Sequence, residues 1–136
     1  MNQYYRMSSA YDIAIRMYCE KKYDDAIRFF QKLPKSDEIK YNIATCHKEK
    51  NTVDSLTLSC RLYEKLLTTC AKNVQLRKNV ETNYISANTL ISKIYVDQCD
   101  YEKAIRMSID ALKFVPQSSV LAYNIGHLYK CIGNTR

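Results

Sequence analysis

Two short phrases recur in this chain with different flanking residues. Tyr-Asn-Ile followed by a small residue occurs at 41–44 and again at 123–126, and residues 101–106 repeat the pattern of residues 23–28. Recurrence of short helix-compatible phrases is typical of proteins built from stacked supersecondary repeats. Such a stack presents extended surfaces for binding, and catalysis by the repeats alone is unusual. The recurrence therefore predicts a repeat fold with a binding role.

The composition favours an all-α domain. The chain has 136 residues, with only 2 glycines and 2 prolines against 46% hydrophobic and 26% charged residues. A chain of this length can bury its own core, and the scarcity of turn-forming residues favours helices. No apolar run approaches the roughly 18 residues that a membrane span needs, and the first residues lack the apolar core of a secretory signal. We therefore expect one domain over 1–136, without membrane contact, in the cytoplasm or nucleus.

Neither the cysteines nor the charges of the chain form a cluster. The cysteines are Cys19, Cys46, Cys60, Cys70, Cys99 and Cys131. We interpret them as free thiols in a reducing compartment, most of them at small helix-packing positions. The net charge of +7 is spread along the chain, with no run of five basic residues. This distribution predicts attraction to acidic partners without a dedicated nucleic-acid patch.

The spacing of apolar residues predicts seven helices, arranged mainly in pairs. The predicted helices cover residues 8–20, 23–33, 38–49, 53–70, 84–98, 101–115 and 119–132. Pro34 is expected to end the second helix. Ser36 or Asp37 is the expected N-cap of the third helix, and Asp100 that of the sixth. Gly133 is the expected C′ residue of the last helix.

This alternation of short paired helices resembles the tetratricopeptide repeat family. The family's 34-residue pattern combines small residues at fixed positions with aromatic residues and a late proline. The unit that begins at Ile85 matches best, with Tyr95, Ala104, Ala111 and Pro116 at pattern positions. The resemblance implies a short right-handed solenoid of antiparallel helix hairpins. Its units would cover approximately 7–36, 37–70 and 85–118, with a terminal helix at 119–132 and, at 71–84, an irregular segment that could be a linker or a helical extension.

The resemblance also implies a concave groove that holds a segment of a partner protein. The candidate groove residues carried over from the family are Tyr11, Tyr41, Lys48, Lys93, Tyr123, His127 and Lys130. Tyrosine rings beside ammonium groups suit an extended segment with acidic residues and apolar or aromatic anchors. The alternative is a solvated charged face with half-buried tyrosines. Asn42 and Asn124 are expected to hydrogen-bond between neighbouring helices.

The predicted last helix is apolar on nearly all sides. Its large apolar residues are Val120, Leu121, Tyr123, Ile125, Leu128, Tyr129 and Ile132. Since a helix that is apolar all round is normally covered on all sides, we expect a second copy or a partner protein to cover it. The predicted contact residues are Leu121, Ile125, Leu128 and Ile132. The alternatives are that the tail folds back or that the stripe is ordinary packing.

Residues suited to catalysis, cofactor binding or metal binding are scarce. Cys46 and His47 are adjacent on one predicted helix and point about 100° apart, so they cannot pair as nucleophile and base. His127 and Cys131 share a helix face, but two ligands fall short of a metal site. The sequence therefore predicts a protein that is not an enzyme and needs no metal or other cofactor.

The expected function is a protein-interaction adaptor or an assembly subunit. It would bind a partner segment in the groove and a partner or a second copy through the last helix. The alternative is a helical-repeat protein associated with RNA or ribonucleoprotein. Its candidate contacts are Lys72, Arg77 and Lys78, with Lys48 and Lys50 as further cations. Phosphate contacts would make that binding strongly salt-dependent.

Overall fold

A computed structural model describes residues 3–70 and 72–135, with side chains over 9–70 and 72–133. The helices are α1 (Gln3–Cys19), α2 (Tyr23–Gln31), α3 (Asp37–Lys50), α4 (Val53–Thr69), α5 (Val74–Asp97), α6 (Tyr101–Phe114) and α7 (Ser119–Thr135). The described residues contain no strand, which confirms the all-α prediction. Over the same residues, no helix combines the length and the apolar character that crossing a membrane requires.

The chain divides into two compact units, Met1–Leu62 and Tyr63–Arg136. In the first unit, α1 packs against α2 and α2 packs against α3. In the second unit, α5 packs against α6 and α6 packs against α7. Consecutive packing of neighbouring helices is the arrangement of a helical-repeat stack. The handedness of the solenoid and the family assignment stay predictions.

Small residues allow close helix packing in the first unit. Ala14 of α1 and Ala26 of α2 are fully buried, and Phe30 fills the space beside them. Small side chains at such positions allow two helix backbones to approach closely, and larger residues fill around them. The buried Ser59 hydroxyl donates a hydrogen bond to the Ala44 carbonyl at 2.9 Å, which links α4 to α3.

The core of the second unit combines aromatic packing with buried polar groups. The buried Tyr84 ring packs edge-on against Phe114, with centroids 6.0 Å apart, and its hydroxyl donates to a Glu64 carboxylate oxygen at 2.8 Å. Asn88 of α5 is also buried, and its amide donates to the Met107 carbonyl of α6 at 3.2 Å. Apolar packing and buried hydrogen bonds thus both hold this unit together, although the buried Asn88 Oδ1 has no hydrogen-bond partner among the described residues.

The helix hairpins turn at residues other than glycine with a left-handed backbone. These residues are Lys21 (φ 63°), Asn51 (φ 57°) and Cys99 (φ 61°). After α1, the Lys22 N–H donates to the Met17 carbonyl, and after α5 the Asp100 N–H donates to the Tyr95 carbonyl, each at 2.8 Å. Both turns therefore have the Schellman geometry that commonly ends a helix. The recurrence of 23–28 at 101–106 thus follows the same turn in both places.

The predicted N-caps agree with the structure. The Ser36 hydroxyl accepts from the Ile39 N–H at 3.2 Å, and the Asp100 carboxylate accepts from the Lys103 N–H at 3.2 Å. Each side chain satisfies a backbone donor that the first helical turn leaves without an intrahelical partner. Of the two proposed caps for the third helix, Ser36 is the one used.

Three predicted boundaries need correction. The first helix begins at Gln3 and not at residue 8. The segment 71–84 is not irregular: α5 begins at Val74, so the helical extension, and not the linker, is present there. Residue 71 of that segment lies outside the described residues. At the other end, α7 runs through Gly133 to Thr135, and Gly133 does not have the positive φ of a C′ residue.

Candidate partner-binding site

A cleft of about 280 Å³ lies between α5 and α7 in the second unit. Its lining residues are Thr89, Ser92, Lys93, Val96, Asn124, His127 and Leu128. Those from each helix follow three- and four-residue spacing, which places them on one face of that helix. Lys93 and His127, two predicted groove residues, therefore meet at one cleft.

One hydrogen bond joins the two walls of the cleft, and others fix the α5 wall. The Asn124 amide donates to the Thr89 hydroxyl at 3.3 Å, and that hydroxyl donates to the Ile85 carbonyl at 2.8 Å. The predicted role of Asn124, hydrogen bonding between neighbouring helices, is confirmed. Deeper in the cleft, the buried Ser92 hydroxyl lies 3.4 Å from the Ser108 hydroxyl. The cleft is thus held in shape by the chain's own polar contacts.

The cleft carries positive charge and an apolar base. Lys93 is exposed and makes no ion pair within the described part of the chain. The sequence of α7 contains no aspartate or glutamate. Val96 is half-buried and Leu128 is almost fully buried, so they supply apolar surface below the lysine. A cation above an apolar base suits a ligand with an acidic group beside an apolar one.

An aromatic pair stands at the edge of the cleft. Tyr123 is 73% exposed, and its ring stacks on His127 with centroids 6.3 Å apart and planes 3° from parallel. The Cys131 sulfur lies 3.8 Å from Nε2 of the same imidazole. Lys130 is exposed on α7 but does not line the cleft. The structure thus brings Tyr123 and His127 together and leaves Lys130 outside the cleft.

The predicted groove residues of the first unit are mostly covered by their own neighbours. Tyr11 is 39% exposed and packs edge-on against Phe30, with centroids 6.1 Å apart. Tyr41 is half-buried. The Lys48 side chain is only 12% exposed and pairs with Glu49 at 3.9 Å. Lys48 is therefore not an open cation for a partner, and the prediction needs correction there.

Burial shifts the pKa of several titratable groups near these residues in the direction that favours the uncharged form. Burial, with a contribution from the Glu49 charge, raises the pKa of Tyr18 to about 12, and this tyrosine packs edge-on against Tyr23. Burial likewise raises the pKa of the Cys46 thiol to about 12 and lowers the pKa of His47. A thiol that stays protonated is a poor nucleophile and a poor metal ligand. This part of the first unit therefore offers packing rather than reactive groups.

The predicted interface on the last helix also needs correction. Leu121 is 0% exposed and Leu128 5% exposed, because they pack inside the second unit. Ile125 and Ile132 are half-buried. The strongly exposed apolar residues of α7 are instead Val120, Tyr123 and Tyr129. The alternative of ordinary packing therefore accounts for the two leucines.

The candidate nucleic-acid residues differ in their availability. Lys72 and Lys78 are exposed. Arg77 instead donates from its guanidinium to the Leu67 carbonyl at 2.7 Å and pairs with Glu81 at 3.2 Å. Arg77 thus joins the end of α4 to α5, and its assignment as a nucleic-acid contact needs correction.

Comparison with known proteins does not assign this chain to a family. Neither the family models nor the curated proteins that were searched contain a match to this chain. Over the described residues, no group of three or more histidine, cysteine, aspartate or glutamate side chains could hold a metal ion. The geometry of the α5–α7 cleft is therefore the basis for a functional proposal.

Proposed function

We propose that this protein is a non-catalytic interaction adaptor or assembly subunit of the tetratricopeptide type. Its α5–α7 cleft would bind an extended, acidic segment of a partner protein. The observation that carries this proposal is the exposed Lys93, which forms no ion pair within the described residues and shares with apolar residues a cleft whose α7 wall has no carboxylate. The exposed Tyr123 ring would supply a second contact at the edge, since aromatic anchors contribute strongly to binding.

The binding mode follows from the chemistry of the residues that line the cleft. A carboxylate of the partner would pair with the Lys93 ammonium, and an apolar or aromatic side chain would cover Val96 and Leu128. Charge attraction of this kind speeds encounter and selects against basic segments. Because the charge is at the surface, binding should weaken as salt screens it.

A selection from a random peptide library tests the proposal. We expect the purified full chain to enrich peptides that combine aspartate or glutamate with an aromatic or large aliphatic residue. Lys93→Glu should weaken the selected peptides by roughly ten- to thirtyfold, about 1.4–2 kcal/mol, because attraction is replaced by repulsion. Enrichment of basic peptides, or no enrichment, would contradict the proposal.

Lys78→Glu is the matched control for this experiment. Lys78 is exposed on the same helix, lies outside the cleft, and its replacement changes the net charge by the same amount. A general electrostatic attraction to the basic chain would weaken equally in both variants. A site at the cleft requires that only Lys93→Glu has the large effect.

The RNA-associated alternative makes the opposite prediction. It depends on the exposed Lys72 and Lys78, since Arg77 is engaged with Leu67 and Glu81. Under that alternative, Lys78→Glu would reduce binding to a single-stranded RNA and the slope of affinity against salt. The even charge distribution favours the protein partner, and so does Lys93, which forms no ion pair in the part of the chain that the structure describes.

A further inference from the structure

Three side chains form a row along α7 at the edge of the cleft. Cys131 and His127 are one helical turn apart, and the Cys131 sulfur lies 3.8 Å from Nε2 of the imidazole. Tyr123 lies one turn before His127, and its ring stacks on the imidazole with the two planes 3° from parallel. An imidazole in contact with a thiol can act as the base that activates the thiol as a nucleophile. We propose that Cys131 is a nucleophilic thiol, activated by His127, that exchanges with anionic small-molecule disulfides.

The exchange step is an ordinary thiol–disulfide reaction. His127 Nε2 takes the proton of the Cys131 thiol, and the thiolate attacks one sulfur of the small disulfide. A new bond forms between Cys131 and that sulfur, while the original disulfide bond breaks. The other half leaves as a thiolate and takes the proton from the imidazolium. The small disulfide is the only oxidant, and one small thiol is released for each Cys131 modified.

The surrounding charge selects the kind of disulfide. Lys93 lies on the same cleft as His127, and Lys130 is exposed beside Cys131 in the sequence. No carboxylate occurs along α7. An anionic disulfide, such as oxidised glutathione, is therefore attracted to this part of the surface. Cystamine, a cationic disulfide with the same reactive bond, is not.

The chain contains a matched control thiol. Cys99 is more exposed than Cys131 and makes no histidine contact within the described residues. It also lies between Asp97 and Asp100 in the sequence, which gives it acidic neighbours. If exposure alone governed reactivity, Cys99 would react faster. If the His127 contact governs it, Cys131 would react faster although it is less exposed.

Site-resolved mass spectrometry of the full chain with oxidised glutathione tests the proposal. We expect Cys131 to be modified about tenfold faster than Cys99. A well-positioned base accelerates a reaction by roughly a hundredfold or more, and the smaller effect is expected here because the 3.8 Å contact is loose. His127→Gln should remove that advantage and leave the Cys99 rate unchanged. A wild-type Cys131 rate at or below that of Cys99, or a rate unaffected by His127→Gln, would overturn the proposal.

Two further readouts separate activation from a structural effect. In His127→Ala, added free imidazole should raise the Cys131 rate and change the Cys99 rate much less; equal changes would count against activation. With cystamine in place of oxidised glutathione, the preference for Cys131 over Cys99 should fall at least several-fold, and an unchanged preference would refute the charge selection. Any effect of the mixed disulfide on partner binding rests on the proposed function, whereas these rates are measured without a partner.

Discussion

The left-handed turn residues Lys21 and Cys99 make the stability of the hairpins testable. Both have a positive φ, 63° and 61°, in the Schellman turns that end α1 and α5. For a residue with a Cβ this conformation costs roughly 1–2 kcal/mol. Glycine avoids that cost but loses about 0.5–1 kcal/mol more conformational entropy on folding than alanine. We therefore expect Lys21→Gly and Cys99→Gly each to stabilise the protein by about 0.5–1 kcal/mol.

The controls for this prediction come from the same turns. Lys21→Ala and Cys99→Ala remove the charge or the thiol but keep the Cβ, so neither should stabilise the chain. Asn51 has the same backbone conformation with φ 57°. Because asparagine tolerates this conformation better than other residues, Asn51→Gly should change stability little.

The assay is urea unfolding followed by circular dichroism, with thermal unfolding as a second measurement. The expected gain corresponds to roughly 2–4 °C in Tm for a chain of this size. If glycine relieves the cost of the left-handed backbone, each glycine variant is more stable than the alanine variant at the same position. If Lys21→Gly were no more stable than Lys21→Ala, the assignment of strain to the turn would be refuted.

Three further predictions concern the cores. Tyr84→Phe should destabilise the chain by about 1.5–3 kcal/mol in urea unfolding, since its hydroxyl bonds the Glu64 carboxylate; no loss would show that this bond contributes nothing. Burial lowers the pKa of His47, so the unfolded chain binds a proton at this imidazole more readily than the folded chain does. The free energy of unfolding should therefore be highest above about pH 6.5 and fall as the pH drops below it. The fall should be smaller in His47→Gln. In native alkylation, Cys19 should react and Cys46 should not, whereas similar rates would contradict the burial of Cys46.

The sequence predicts most helix boundaries because strong local signals mark them. Ser36 and Asp100 are side chains that cap helices in many contexts, and both do so here. The start of α5 had a signal too: Leu76, Val80 and Tyr84 are four residues apart and all buried. The polar residues between them obscured this spacing. Local chemistry therefore located helix ends better than it distinguished a polar helix from a linker.

The candidate site could be predicted only in part, because partners across helices are set by packing. The family resemblance placed Lys93 and His127 in one groove, and in the structure both line the α5–α7 cleft. The side of α7 that packs inward depends on its neighbouring helices, so Leu121 could not be separated from Tyr129 by composition. The contact of Arg77 with the Leu67 carbonyl is likewise tertiary. Such contacts leave no pattern within a single helix.

The most direct test of the central claim is affinity capture of the tagged full chain from its native extract after ribonuclease treatment. Wild type, Lys93→Glu and Lys78→Glu are compared by quantitative mass spectrometry of the bound proteins. A binding site at the α5–α7 cleft predicts a set of proteins that wild type and Lys78→Glu retain and Lys93→Glu loses. A set that ribonuclease abolishes, or one that Lys93→Glu retains in full, would contradict the account.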